Sequence, residues 1–113
     1  SRVADNVLQR QFESNQPNQK WVTDVTEFNI RGEKLYLSPI MDLFNGEIIA
    51  FQMGRRPIFR LVKDMLKEAI DKLNINEKPI IHSDQGWQYQ MRFYQQQLAE
   101  RGLTQSMSKE EIV

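Results

Sequence analysis

The chain has 113 residues, of which 40% are hydrophobic and 27% charged, and this indicates one folded domain, not a disordered or membrane-spanning chain. Its formal net charge is zero, so any contact with nucleic acid would need a local basic patch. There is no cysteine, no signal-peptide pattern and no apolar run long enough to cross a bilayer, so the sequence predicts a soluble, cytoplasmic protein without disulfides.

The chain opens with a polar, Gln/Asn-rich lead-in over residues 1–20, and residues 21–113 form the predicted core domain. The first strand is predicted over Trp21–Phe28, which is rich in residues that favour extended backbone. Alternation places Asp24 in the middle of an otherwise apolar face, where an ionised acid is costly unless it is compensated. Asp24 therefore either accepts hydrogen bonds from a neighbouring loop or holds a metal ion with a second acid. Taken alone, the first explanation is the commoner one.

Two further strands are predicted over residues 34–43 and 47–53, so that the first three strands form an antiparallel meander. A short turn at residues 31–33 joins the first two. Asn45-Gly46 between the second and third is the pattern typical of a two-residue type I′ hairpin, which needs positive φ at both positions. Asp42, beside this hairpin, is expected to serve as a hydrogen-bond acceptor and not as a metal ligand.

The second half of the chain alternates helices and short strands. An apolar stripe predicts a helix over Leu61–Leu73, and a second helix is predicted over Met91–Arg101. The run Ile80-Ile81 is typical of a strand buried on both faces, and residues 103–107 make one more strand. The predicted fold is therefore α/β, a mixed sheet of five strands with flanking helices. Ligands bind such sheets beside the strand ends, where Asp84 follows the Ile80 strand.

Asp24 and Asp84 would form an oxygen site if their strands are neighbours. Mg²⁺ and Mn²⁺ prefer carboxylate oxygens and keep several waters, which leaves room for substrate phosphates. Two such ions can activate an attacking hydroxyl and stabilise the leaving oxygen of a phosphodiester, although that chemistry normally needs a third acid.

Four sequence motifs occur in a fixed order: Pro17–Thr26 (PNQKWVTDVT), Leu35–Leu37 with Met41–Phe44, Ile81–Gly86 (IHSDQG) with Tyr89, and Gln105–Ser108 (QSMS). Over nearly the whole chain, they resemble the catalytic core of bacterial insertion-sequence transposases, which are relatives of the retroviral integrases. The resemblance implies a ribonuclease-H-like fold and an Asp-Asp-Glu triad that binds Mg²⁺ or Mn²⁺. It also implies DNA as the partner, self-association, and nicking of element ends followed by strand transfer. Asp24 matches the first acid of the triad and Asp84 the second.

The sequence departs from this pattern after Ser108. The third acid, a glutamate, belongs roughly 35 residues after the second, at about position 120, and Glu110 and Glu111 come too early to be expected in its place. The sequence therefore predicts a truncated core that folds, binds divalent metal weakly and does not catalyse strand transfer. The alternatives are a non-catalytic DNA-binding or self-association module and, less favoured, a phosphohydrolase with Asp24 as nucleophile and a lysine near Asp84.

Other residues near the second acid have a possible functional role and a structural alternative. His82 could move a proton or contact DNA, but a histidine at a strand end is more often structural. Gln85 and Gly86 are predicted to shape the turn that holds Asp84, Gly86 because glycine adopts backbone angles that other residues avoid. Trp87 and Tyr89 could stack on bases, or pack in the core as is expected for Phe93.

One basic cluster stands out in this neutral chain. It consists of Arg55, Arg56 and Arg60, with Lys63 following along the first helix. These side chains could contact DNA phosphates, although a solvated helix face explains the lysine equally well.

Overall fold

The computed structural model describes residues 13–108, which form a six-stranded mixed sheet with helices packed against it. The strands are β1 (Lys20–Thr23), β2 (Thr26–Ile30), β3 (Glu33–Asp42), β4 (Ile48–Gly54), β5 (Ile80–Ser83) and β6 (Thr104–Met107), and the helices are α1 (Phe59–Asp71), α2 (Trp87–Gln90) and α3 (Arg92–Glu100). The predicted α/β class and the predicted meander followed by two strands are confirmed. The four-residue helix α2 is an addition to the predicted elements.

The sixth strand arises because the first predicted strand is interrupted. β1 and β2 both pair antiparallel with β3, Thr23 opposite Ile40 and Thr26 opposite Leu37, so the register continues across the break. The side chain of Asp24 accepts a hydrogen bond from the N–H of Val25 (2.8 Å), which competes with regular strand pairing at this point. The five predicted strands are therefore present, with the first divided at Asp24.

The type I′ turn lies in the first hairpin loop, where only a short turn was expected, and not in the second. Arg31 and Gly32 both have positive φ (51° and 81°), as a two-residue type I′ turn between β2 and β3 requires. In the loop between β3 and β4, Gly46 has positive φ and Asn45 does not, so the type I′ turn predicted at Asn45-Gly46 is wrong. The reason is Asp42, whose Oδ1 accepts the N–H of Phe44 (3.0 Å) and widens the loop.

The core lies between the sheet and helices α1 and α3. The apolar stripe of α1 is buried as predicted, and it packs on the face of the sheet formed by Ile40 of β3 and Ala50 of β4. Because side chains alternate along a strand, Phe51 and Met53 of β4 point to the opposite face, where both are exposed. Within residues 13–108, no helix is long and apolar enough to span a membrane.

Asn18 anchors the start of β1. It has a left-handed backbone (φ 58°), its N–H donates to Oδ2 of Asp42 (2.8 Å), and its Oδ1 accepts from Nε1 of Trp21 (3.1 Å). Its Nδ2 donates to Oε2 of Glu77 (3.0 Å) in the loop before β5, and this bond, together with one from the N–H of Asn74, holds the pKa of Glu77 below its ordinary value. Asn18 therefore connects β1, the end of β3 and the approach to β5. The expected acceptor role of Asp42 is confirmed.

Candidate active site

Asp24 and Asp84 leave the sheet at the same edge. β1 and β5 are parallel neighbours, with Trp21 opposite Ile81 and Val22 opposite His82, and each aspartate comes two residues after this last pair. Both carboxylates line one cavity of about 230 Å³. The strand adjacency that the sequence required is confirmed, and Asp24 is exposed at the end of β1 instead of lying within an apolar face.

Each aspartate uses one carboxylate oxygen to end its own strand. Oδ1 of Asp24 accepts the N–H of Val25, and Oδ1 of Asp84 accepts the N–H of Gly86 (2.7 Å). Within residues 13–108, the second oxygen of each carboxylate accepts no hydrogen bond. Each aspartate that lines the cavity therefore keeps one carboxylate oxygen whose lone pairs are not used within residues 13–108.

The electrostatics of the pair suit a cation. Burial raises the pKa of Asp24 above its ordinary value, the charge of Asp84 raises it further, and the hydrogen bond from Val25 opposes both. A divalent cation between the carboxylates would remove this repulsion, and hard oxygen ligands suit Mg²⁺ or Mn²⁺. The two residues therefore fit such an ion.

A third ligand of the predicted kind is not found in the described part of the chain. Glu27 also lines the cavity, but it pairs with Lys34 (3.5 Å) and accepts the hydroxyl of Tyr36 (3.3 Å). Among residues 13–108, no three His, Cys, Asp or Glu side chains are grouped closely enough to hold a metal. Glu110 and Glu111 lie outside the described residues.

Gly86 is required for space and not for its backbone angles. Its φ is −56°, which other residues adopt freely, so the reason predicted from sequence is wrong. A Cβ at this position would lie 2.9 Å from Oδ1 of Asp84 and 2.9 Å from Oε1 of Gln88. Gly86 therefore allows the backbone to approach the Asp84 carboxylate closely.

Replacing Gly86 with alanine is expected to displace the Asp84 carboxylate and weaken Mn²⁺ binding by about tenfold, the lower end of what is typical for residues that orient a ligand. Isothermal titration calorimetry measures this. Gly54→Ala is the matched control, because its new Cβ meets a side-chain atom at the same 2.9 Å, Cδ2 of Leu61, away from both aspartates. Equal Mn²⁺ affinity in Gly86→Ala and the unmodified chain would contradict this role for Gly86.

The ring of His82 is hydrogen bonded on both sides by serines at the edge of the sheet. It is nearly buried, and its ring nitrogens are hydrogen bonded to Oγ of Ser106 (Nδ1, 3.1 Å) and of Ser108 (Nε2, 2.9 Å), which connects β5 to β6. Burial lowers the pKa of His82, while the charge of Asp84 opposes this. In the neighbouring turn, the exposed Gln85 accepts a hydrogen bond at its backbone oxygen from the side chain of Gln90.

Of the two aromatic residues predicted to stack on DNA bases, Trp87 is exposed and Tyr89 is buried. Trp87 is 54% exposed, so its ring is open to a base. Tyr89 is 1% exposed and packs edge-to-face on Tyr94 (5.5 Å between ring centroids), so its ring has no free face and the stacking role predicted for Tyr89 is wrong. Phe93, expected in the core, is 47% exposed and lies at the helix surface against Phe59.

The basic cluster lies beside the acidic cavity. Arg55, Arg56 and Arg60 are exposed and line a recess of about 490 Å³ between the end of β4 and the start of α1, whereas Pro57 lines the acidic cavity. The two recesses therefore adjoin along the chain. Arg55 pairs with Glu33 only at 3.9 Å, and Nζ of Lys63 lies 4.8 Å from the centre of the Phe93 ring.

One cavity residue, Gln88, was missed from the sequence. It belongs to α2, lines the cavity together with both aspartates, and is only 7% exposed. Its position four residues after Asp84, in a polar stretch that reads as a turn, gives no periodic signal. Its burial results from tertiary packing of the short helix.

The sequence is similar to known proteins over nearly its whole length. Residues 14–111 match a family model described as the integrase core domain. The chain is 56% identical over 108 residues to the putative transposase InsK for insertion sequence element IS150 of Escherichia coli K12, covering 96% of this chain and 38% of that protein. It is 57% identical over 107 residues to an uncharacterized transposase-like protein of Haemophilus influenzae, covering 95% of this chain and 49% of that one.

A structural comparison shows the same fold at low sequence identity. The HTLV-2 integrase catalytic core domain in complex with magnesium superposes with a TM-score of 0.71 at 22% identity, over 84% of this chain and 63% of that one. The chain spans less than half the length of the two curated relatives above.

Proposed function

This chain belongs to the integrase core domain family, and from that premise we propose that Asp24 and Asp84 hold the divalent cation of a DNA strand-transfer site. The proposed reaction is cleavage of a phosphodiester at the end of a mobile element and joining of the freed 3′ hydroxyl to target DNA. The main support for this proposal is that the two aspartates follow adjacent parallel strands and line the same cavity.

The protein's own groups have defined tasks in this reaction. Mg²⁺ or Mn²⁺, when bound, would stabilise charge on the attacking and leaving oxygens of the phosphodiester. Asp24 and Asp84 would hold the cation through their carboxylates, while the hydrogen bonds from Val25 and Gly86 to one oxygen of each help to orient them. Because the pKa of Asp24 is raised, a proton competes with the cation for this carboxylate as the pH falls.

The DNA strand needs a path to an acidic cavity. We propose that the recess lined by Arg55, Arg56 and Arg60 binds backbone phosphates next to the cavity, with Lys63 extending this surface along α1. The exposed ring of Trp87 offers a stacking surface close to Asp84. This local basic patch would supply the positive charge for DNA binding that a chain of zero net charge does not supply as a whole.

The relatives support a setting for this reaction. We propose that residues 21–113 form the core and residues 1–20 its lead-in, and that it acts in the bacterial cytoplasm as an oligomer. Its relatives include bacterial transposases, and the HTLV-2 integrase core is described in dimeric and trimeric forms. The second candidate is a non-catalytic DNA-binding or self-association module. The pairing of only two carboxylates within residues 13–108 favours it for the chain by itself.

Nicking of element-end DNA in the presence of Mn²⁺ tests the proposal. The chain alone is expected to bind Mn²⁺ weakly and not to catalyse strand transfer. The same chain, extended by the segment that follows in its longer relatives, is expected to nick well if that segment supplies the third carboxylate that the motif resemblance implies. Robust turnover by the chain alone would refute its expected inactivity. Failure of the extended chain to bind Mn²⁺ or nick DNA would refute the strand-transfer function and leave the non-catalytic module.

A further inference from the structure

Gln88 is a buried polar side chain without a partner. It is 7% exposed, lines the cavity of Asp24 and Asp84, and takes part in none of the side-chain hydrogen bonds found within residues 13–108. Its Oε1 and Nε2 are not among the solvent-inaccessible unpaired polar atoms of residues 13–108, so the amide reaches the cavity with its hydrogen-bonding groups unused.

The backbone of Gln88 is held firmly in place. The next residue, Tyr89, has its ring packed on Tyr94, and its backbone oxygen accepts a hydrogen bond from Nε2 of Gln105 in β6 (2.7 Å). The side chain borders the turn that holds the second acid: its Oε1 and Oδ1 of Asp84 are each 2.9 Å from the point where a Cβ of Gly86 would be. Both side chains therefore border the same space beside Gly86.

The chemistry of the cavity lining gives this amide a specific task. Asp24, Glu27 and Asp84 present acceptors only, and the hydroxyl of Tyr36 already bonds to Glu27. The hydroxyl of Tyr89 is itself buried away from solvent. Of the side chains lining this cavity, Gln88 alone offers N–H donors that a ligand could reach.

We propose that the side-chain N–H of Gln88 donates a hydrogen bond to a phosphate oxygen of the DNA strand that is held against Asp24 and Asp84. A neutral amide suits this position because it binds the phosphate without competing with the cation for the carboxylates, as a lysine or arginine would. The inference rests on the proposed function, and it adds to the site a substrate-binding residue that carries no charge.

Variants of Gln88 test the proposal through binding, with Ca²⁺ present to prevent cleavage. Gln88→Ala is expected to weaken binding of a fluorescein-labelled element-end duplex by about tenfold, the usual effect of losing a hydrogen bond to a charged group, and to leave Mn²⁺ affinity unchanged. Gln88→Glu is expected to weaken it further, because a carboxylate would face the phosphate. The same substitutions at Gln96, exposed on α3, are the matched controls and should have no effect.

A second measurement uses the unmodified chain, so its result does not depend on whether the variants fold. On addition of the duplex, the ¹H–¹⁵N signals of the Gln88 side-chain amide should shift, and those of Gln96 should not. Unchanged duplex affinity in Gln88→Ala, or no shift of the Gln88 signals, would overturn the proposal. Reduced Mn²⁺ affinity in Gln88→Ala would overturn it too, by making Gln88 a metal ligand. Failure of Asp24→Asn to reduce Mn²⁺ affinity would instead refute the proposed function itself.

Discussion

Asp84→Asn is expected to reduce Mn²⁺ affinity by more than about 100-fold, because losing a charged ligand costs more than changing residues that merely orient one. Asparagine keeps the size of the side chain and an oxygen that can still accept the N–H of Gly86, so the turn after β5 is retained. The variant therefore removes charge and little else. Isothermal titration calorimetry with Mn²⁺ gives the affinity, and circular dichroism verifies the fold.

The same variant has a second effect that needs no metal. The charge of Asp84 is the second cause, after burial, of the raised pKa of Asp24, so its removal should lower that pKa towards the ordinary value of 3.8. Burial persists, so the pKa should stay above 3.8. Because the pKa of Asp24 is higher in the folded than in the unfolded state, the free energy of unfolding falls as the pH rises through the folded-state pKa. This fall in unfolding free energy should be smaller in Asp84→Asn. A carboxyl ¹³C titration by NMR measures the pKa directly.

The matched control for both effects is Asp71→Asn. Asp71 is the last residue of α1 and is exposed, so the same loss of charge occurs away from the cavity. It should leave both the Mn²⁺ affinity and the pKa of Asp24 unchanged. If Asp84→Asn behaved like this control, the two carboxylates would not be acting together, and the cation site would have to be placed elsewhere.

The two acids could be named from sequence, but their meeting could not be derived from local signals. The unalternating Ile80-Ile81 run indicates a central strand, while its place beside the first strand was a condition that the motif resemblance suggested and the β1–β5 pairing now meets. Once β1 and β5 are parallel neighbours, Asp24 and Asp84 must leave the same edge of the sheet. Periodicity predicts the buried face of α1, because its apolar residues repeat at helical spacing.

Features that depend on side-chain hydrogen bonds escaped prediction. The break after β1 comes from the bond between Asp24 and Val25, and the widened loop after β3 comes from the carboxylate of Asp42. Neither bond changes the hydrophobic pattern, so neither can be read from it. The need for Gly86 and the burial of Gln88 likewise depend on how the turn after β5 folds back beside Asp84.

Trp21→Ala is expected to have the largest effect on stability. Trp21 is fully buried (0% exposed) in β1, between Asp42 of β3 and Ile81 of β5, and its Nε1 donates to Oδ1 of Asn18. Truncating a buried tryptophan typically costs about 3–5 kcal/mol. Because small domains have a total unfolding free energy of about 5–15 kcal/mol, this variant should lose a third or more of its stability if the domain lies in the lower half of that range. Urea unfolding followed by circular dichroism measures the loss.

Trp21→Phe separates the two contributions of the side chain. Phenylalanine keeps most of the apolar volume and removes the donor to Asn18, so we expect a loss of about 1–3 kcal/mol in unfolding free energy. This variant should fold and keep its Mn²⁺ affinity, because the pairing of β1 with β5, which sets the positions of Asp24 and Asp84, is made by the backbone. Loss of Mn²⁺ affinity in a folded Trp21→Phe would show that packing around the indole also sets the site.

The second tryptophan provides the control for this pair. Trp87 is 54% exposed, so Trp87→Ala should change the unfolding free energy by no more than about 0.5 kcal/mol. The contrast follows from burial alone, because the same side chain is removed from the same protein at both positions. If Trp21→Ala cost as little as Trp87→Ala, β1 would not be anchored by its indole. The alignment of β1 with β5, which brings Asp24 and Asp84 to the same edge, would then depend on the backbone pairing of the two strands and on the hydrogen bonds of Asn18.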